Sequence, residues 1–227
     1  MLREWKDLPD YMRTVAVRPY YDRLKKKTAS LWIKRGFDFL VSVCLLFFLL
    51  PVFIGISVWV AHDSKGGVFF RQERVTQYGR KFKILKFRTM AVDREHVGAQ
   101  ITTAGDLRIT RAGGVLRKYR LDELPQLINI ILGDMSFVGT RPEVPGFVRG
   151  YTEEMMATLL LPAGVTSEAS IRYKDESRLL EKADDVEEVY VREVLPWKME
   201  YNLQSVREFS FLRDVGTMVR TVFAVLF

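Results

Sequence analysis

The sequence predicts an α+β fold, mainly helical, with a small β-hairpin and a proline-broken apolar helix that seats the domain on a membrane. Three observations carry this. Phe39 to Ala61 is a run of 23 residues without a charge, with Pro51 in its middle. The segments 68–75 and 81–89 are rich in β-formers, and Gly79 lies in the gap between them. From Arg117 onward the apolar stretches carry helical start and stop signals or helical spacing. A chain of 227 residues fits one ordinary domain, or a domain plus an anchor.

The first 35 residues hold ten Lys/Arg against four Asp/Glu, with Trp5, Tyr11, Tyr20, Tyr21 and Trp32 among them. That mixture suits either a membrane interface or a solvated, partly disordered tail. It does not resemble a cleaved signal peptide, because the apolar core comes late, is long and lacks a small-residue cleavage site. The uncharged run could reach roughly 35 Å as a helix, enough for a hydrocarbon core of about 30 Å. Pro51 removes a hydrogen bond to the Phe47 carbonyl and should bend it. Lys25, Lys26, Lys27, Lys34 and Arg35 precede the run and direct its N-terminal end to the cytoplasm. The residues alone leave two readings, a bent spanning helix or one that turns back.

The basic charge is concentrated. Between Lys65 and Arg120 there are fourteen Lys/Arg and four Asp/Glu, within a chain of net charge +7. Such a block implies an anionic partner: nucleic acid, an acidic membrane or substrate phosphates. Strand alternation puts Phe82, Ile84, Lys86 and Arg88 on one face, so Lys86 and Arg88 project together as an anion site or as a solubilising edge. With one cysteine and two histidines, His62 and His96, zinc sites and His-based triads have little support. No phosphate-loop or dinucleotide glycine pattern occurs, and Gly113–Gly114 matches neither. Acid–base or nucleophilic chemistry falls to carboxylates.

The pair Asp122–Glu123 is the prime candidate. It sits in RKYRLDELPQLINIILG, after Arg117, Lys118 and Arg120, and before Pro125 and an apolar run that stops at Gly133. Proline early and glycine at the end place the carboxylates at or just before a helix start, where the dipole favours their ionised form. A helix cap, a metal ligand and a nucleophile all fit that position. GDMSFVGTRPEVP follows, a rigid polar connection in which Arg141 is suited to grip a phosphate. Residues 185–210 read as a helix in two pieces, interrupted near Pro196. From Phe211 to Phe227 an amphipathic helix carries Phe211, Val215, Met218, Val219, Val222, Phe223 and Leu226 on one face. Arg213, Asp214, Thr217 and Arg220 lie opposite. Such a helix can lie in an interface, pack on the domain or join a second copy as a homodimer.

The order of KRGFDF, the apolar run with its proline, FFRQERV, KFRTM, RKYRLDELPQL and GDMSFVGTRPEVP resembles the bacterial sugar transferases, the monotopic phosphoglycosyl transferases that act on polyprenyl phosphate. The resemblance covers roughly Lys34 to Glu176. It implies transfer of a sugar 1-phosphate from a nucleotide sugar, usually a UDP sugar, to polyprenyl (undecaprenyl) phosphate, the start of lipid-linked glycan assembly. It further implies a covalent phosphosugar on Asp122, Mg²⁺ bound at Asp122, and Glu123 as partner. Lys86, Arg88, Arg117, Arg120 and Arg141 become expected ligands of the donor phosphates. Cytoplasmic substrates make the apolar run a re-entrant helix broken at Pro51, on the cytoplasmic face of the inner membrane. The expected layout is an arm over 1–35, the re-entrant helix over 36–62 and a catalytic domain over 63–227. Departures include Leu50 before the membrane proline, where serine is usual, Thr140 in place of the first proline of Pro-Arg-Pro, and LPAGVTSEAS in place of a glycine-rich stretch. The competing expectation is a membrane-anchored basic domain that binds nucleic acid or anionic lipid without catalysis. No helix-turn-helix or RNP-like pattern supports a nucleic-acid partner, and none is expected.

Overall fold

The computed structural model of the chain describes residues 2–91, 106–173 and 185–226. His96, the end of the motif region at Glu176, and Phe227 lie outside them. The N-terminal arm begins with 3₁₀ turns at Trp5–Asp7 and Asp10–Met12 and continues as helix α1 (Arg18–Lys25). Its apolar residues Leu8, Met12, Val17, Tyr21 and Leu24 are buried against Leu159, Leu160, Val206 and Phe209. The tyrosines expected at an interface or in a tail thus mostly face protein. Tyr11 donates to the Tyr78 carbonyl at 2.9 Å, and the Arg3 amide donates to the Tyr78 hydroxyl at 2.9 Å. The arm thereby holds Tyr78, whose backbone is left-handed at φ 60°.

Helices α2 (Thr28–Phe48) and α3 (Leu50–Asp63) meet at Leu49 with a bend of 64°. The Leu49 amide closes α2 on the Leu45 carbonyl, and Pro51 occupies the first turn of α3, where its missing N–H is harmless. Among the described residues no single helix is long and apolar enough to cross a membrane; the bent pair together is, by length and composition. Leu40, Phe47, Phe48, Ile54 and Val58 on this pair are exposed, large apolar side chains that the described residues leave uncovered.

Strands β1 (Phe69–Val75) and β2 (Lys81–Phe87) form the expected antiparallel hairpin, in register from Phe69↔Phe87 to Val75↔Lys81. Phe82 and Ile84 point into a core shared with Phe53, Val60, Leu116 and Ile130. Helix α4 (Arg111–Lys118) is capped by Thr110, whose hydroxyl accepts from the Gly113 amide. Gly113 is there for contact: a Cβ on it would lie 2.0 Å from the Thr89 carbonyl oxygen. A 3₁₀ turn over Leu121–Glu123 precedes α5 (Gln126–Leu132), which stops at left-handed Gly133 (φ 83°) as the sequence predicts. Arg35 of α2 closes that end by donating to the Ile130 and Ile131 carbonyls at 2.6 and 3.0 Å. A cation at the negative end of a helix is favourable as well as a donor to its orphan carbonyls.

The sequence reading misses one element. β3 (Met135–Val138) and β4 (Ala163–Thr166) pair in parallel, where only a polar connection and a replaced glycine stretch were expected. Their ends touch backbone to backbone, and a Cβ on Gly164 would lie 2.2 Å from the Gly139 amide nitrogen. Between them run α6 (Pro145–Val148) and a 3₁₀ segment over Met155–Leu160, and after them α7 (Glu168–Arg172). Helix α8 (Val186–Val189) passes through a π-helical turn at Tyr190–Val194 into α9 (Leu195–Arg207). The break thus comes just ahead of Pro196.

Helix α10 (Phe211–Leu226) turns Asp214, Thr217 and Thr221 inward and leaves Arg213 and Arg220 exposed. Asp214 accepts from Lys34 of α2 at 2.6 Å, Thr217 is buried, and Thr221 and Thr166 share a hydrogen bond at 2.7 Å. Leu212, Val219, Val222 and Phe223 face outward and are exposed. Phe211 packs edge-on against Phe37, which joins this apolar side to the base of α2. The arm's place in the core has a measurable consequence. Met12 is fully buried and Val15 almost fully exposed. Met12→Ala should therefore destabilise the protein by ~2–4 kcal/mol, while Val15→Ala should leave thermal unfolding in detergent nearly unchanged.

Candidate active site

The dyad is built by a chain reversal. After α4 the backbone turns at Arg120, which adopts the left-handed conformation (φ 55°) that an arginine rarely takes. The reversal delivers Asp122 and Glu123 into the 3₁₀ turn, both buried. Glu123 is enclosed by cations from three segments. Lys86 of β2 donates to its Oε1 at 2.8 Å, Arg141 from the loop after β3 donates at 2.7 Å, and Arg120 stands at 3.9 Å. Burial on its own would raise the Glu123 carboxyl, yet Arg141 and Lys86 hold it well below the usual carboxylate range. Burial pushes the Lys86 ammonium down, and Glu123 pulls it back.

Asp122 differs in every respect. Burial and the adjacent Glu123 charge raise its carboxyl, with Lys86, Arg117 and Arg120 acting against them. Its Oδ1 is buried and accepts no hydrogen bond from the described residues. A buried carboxylate oxygen without a donor is costly unless another group meets it. One carboxylate oxygen of this kind, beside a second carboxylate, fits a hard cation completed by substrate phosphates, which is how Mg²⁺ is commonly held. Among the described residues no three His, Cys, Asp or Glu side chains converge as a self-contained metal cage.

The structure brings Lys86, Arg120 and Arg141 to Glu123, and Arg117 to the same side as Asp122, anchored by a 3.0 Å bond from its Nε to Thr89. Arg88 goes elsewhere. Its guanidinium donates to the Val60, Ser64 and Lys65 carbonyls and closes the C-terminal end of α3. The strand ends at Phe87, so the alternation that aligned it with Lys86 no longer governs its direction.

Two features escaped the sequence. Glu143 accepts from Tyr190 at 2.6 Å, with Lys198 at 3.8 Å, while Arg74 donates to the Pro142 carbonyl at 3.2 Å. This buried set fixes the loop that carries Arg141, and its members are too far apart in sequence to announce each other. Gln126 is the second. It is 1% exposed, and neither of its amide heteroatoms has a hydrogen-bond partner among the described residues. Its only signal was its place four residues after Asp122. Backbone strain at Arg120 generates a prediction. Arg120→Gly should raise stability by about 1 kcal/mol, since glycine tolerates this conformation. Melting curves of the variant check this.

The sequence profile of bacterial sugar transferases matches residues 29–227. The chain is 34% identical over 198 residues to the UDP-N-acetylgalactosamine-undecaprenyl-phosphate N-acetylgalactosaminephosphotransferase of Aeromonas hydrophila, covering 86% of this chain and 44% of that protein. It is 32% identical over 216 residues to the UDP-glucose:undecaprenyl-phosphate glucose-1-phosphate transferase of Escherichia coli (strain K12), covering 93% and 44%. With the UDP-galactose-lipid carrier transferase of Erwinia amylovora it shares 34% identity over 155 residues, 62% of this chain and 32% of that protein. The chain thus spans less than half the length of each of these relatives. The profile covers everything from the start of α2 to the last residue, including the dyad and every cation around it, and the chain belongs to the bacterial sugar transferase family.

Proposed function

We propose that this chain transfers a sugar 1-phosphate from a UDP sugar to undecaprenyl or a related polyprenyl phosphate, through a phosphosugar carried on Asp122. The observation that carries the reading is the division of labour in the dyad. Glu123 is taken up by Lys86 and Arg141, whereas Asp122 keeps a buried oxygen with no partner among the described residues. In the first step an Asp122 oxygen attacks the phosphorus that bears the sugar. The bond from that phosphorus to the bridging oxygen breaks, and the nucleoside monophosphate leaves with the electron pair. In the second step a phosphate oxygen of the polyprenyl phosphate attacks the same phosphorus, the bond to Asp122 breaks, and the free carboxylate returns. Dividing the transfer in two is a known use of a carboxylate nucleophile. Mg²⁺, held by Asp122 together with donor phosphates, would neutralise charge on the transferring group. Arg117 and Arg120, on the Asp122 side, and Arg141 and Lys86, across Glu123, supply fixed positive charge where phosphate oxygens gather. Arg88 serves the site indirectly, by fixing the end of α3. The names of the relatives support both the UDP-sugar donor and the undecaprenyl phosphate acceptor. They differ in the sugar.

Asp122→Asn should fold and retain Lys86 and Arg141 on Glu123, yet form no adduct. Intact-mass measurement after incubation with a UDP sugar and Mg²⁺ checks this. An adduct that persists in the variant, or maps to Glu123, would overturn the assignment.

The domain is proposed to sit on the cytoplasmic face of the bacterial inner membrane, with 36–62 as the re-entrant helix and 63–227 as the catalytic part. The 64° bend at Leu49, the exposed apolar side of α2 and α3, and the outward apolar face of α10 support this seating. Single cysteines at Lys6 and Lys65, in a Cys44→Ser chain, should react from the same side of sealed vesicles. Labelling from opposite sides would show that the segment crosses.

A further inference from the structure

We infer that Gln126 is a substrate-binding residue that engages the sugar-phosphate part of the donor through its side-chain amide. The inference rests on the reading of Asp122 as the site of phosphoryl transfer. A primary amide carries two donors and an acceptor, and burying it unpaired is unfavourable. Gln126 is 1% exposed and leaves both Oε1 and Nε2 without a hydrogen-bond partner among the described residues. The neighbouring amide shows what a structural role looks like here. Asn129, one turn on, accepts from the Leu85 amide at 3.0 Å and donates to the Lys83 carbonyl at 3.0 Å, which ties α5 to β2. The Gln126 amide makes no such tie among the described residues.

Its position says what it is for. The chain from Leu121 to Ile128 is wound by bonds to the third residue back, from the Leu124 amide to the Leu121 carbonyl, from Leu127 to Leu124 and from Ile128 to Pro125. This tight 3₁₀-type winding keeps Asp122 and Gln126, four residues apart, within about one and a half turns of each other. The Gln126 amide and the Asp122 Oδ1 are both buried there without a hydrogen-bond partner among the described residues. Two buried polar groups left open so close together point to one ligand. A sugar 1-phosphate presents phosphoryl acceptors and hydroxyl donors side by side, and a carboxamide pairs with both. The Nε2 hydrogens meet a phosphoryl oxygen, and Oε1 accepts from a hydroxyl of the sugar. The amide is also uncharged, so it adds a contact beside Asp122 without competing with Glu123 for Lys86 and Arg141.

The test is calorimetric binding of UDP-N-acetylgalactosamine, UDP-glucose and UMP to the full chain in detergent with Mg²⁺. An Asp122→Asn background prevents turnover. Gln126→Leu should weaken the tighter-binding UDP sugar about tenfold, the size of one hydrogen bond to a charged acceptor, and leave UMP unchanged. The melting temperature should hold or rise, because the variant removes a buried unpaired amide. Gln126→Glu, of the same shape without the donors, should lose at least as much affinity. Unchanged UDP-sugar affinity overturns the inference, as does an equal loss for UMP, which has no sugar phosphate. A fall in melting temperature with intact donor affinity assigns Gln126 to packing and also overturns it. The unsubstituted chain is run in parallel for the Asp122 adduct. An adduct together with unaffected binding in Gln126→Leu defeats only this inference, whereas absence of both donor binding and adduct defeats the Asp122 reading and this inference with it.

Discussion

The ion pairs around Glu123 bring three parts of the chain, which already share one apolar core, to a single point. Lys86 arrives from the hairpin, Arg141 from the loop after β3, and Arg120 from the reversal that ends α4. Removing the carboxylate would break the pairs of Lys86 and Arg141 on one side, a loss on the order of 3–5 kcal/mol for a buried pair. The same contacts decide which member of the dyad is free. Glu123 has its oxygen taken up and its charge fixed, so the open coordination falls to Asp122. A sequence shows two adjacent carboxylates as near equivalents. Their surroundings make them opposites.

Local signals were legible where the physics is local. Gly133 ends α5 because only a left-handed residue suits that stop, and the β-formers around Gly79 fold back as a hairpin. The Asp–Glu pair and Arg141 stood out by charge beside proline and glycine. What depended on distant pairing was hidden. β3 and β4 are four residues each and parallel, too short for alternation to register, and their pairing requires a long connection. The arm read as an interface segment or a solvated tail because its partners, Leu159, Leu160 and Phe209, come far later in the chain. Arg88 was misdirected by extending strand alternation one residue past the strand. Gln126 could not be distinguished from Asn129 by type, since only hydrogen-bond bookkeeping in three dimensions separates a tie from an open amide.

Helix α10 shows how the same pattern can be read two ways. The sequence gives an apolar face and a polar face, and in a water-soluble domain the apolar one turns inward. Here Asp214, Thr217 and Thr221 turn inward, each with a specific partner or burial, and the apolar side is left out. The specific polar bonds select the orientation. The ring contact of Phe211 with Phe37 joins this surface to the base of α2, where further apolar residues are exposed.

Arg35 connects that face to the chemistry. Its two bonds grip the last carbonyls of α5, a helix of seven residues whose other end follows directly from the dyad. At 1.5 Å per residue, about 10 Å of rigid rod separates the two ends. The bent pair and the dyad therefore share one frame, with Arg35 as the joint. A tilt of α2 is thus passed along α5 to Asp122 and Glu123 and, through the Asn129 bonds to β2, to the strand that carries Lys86.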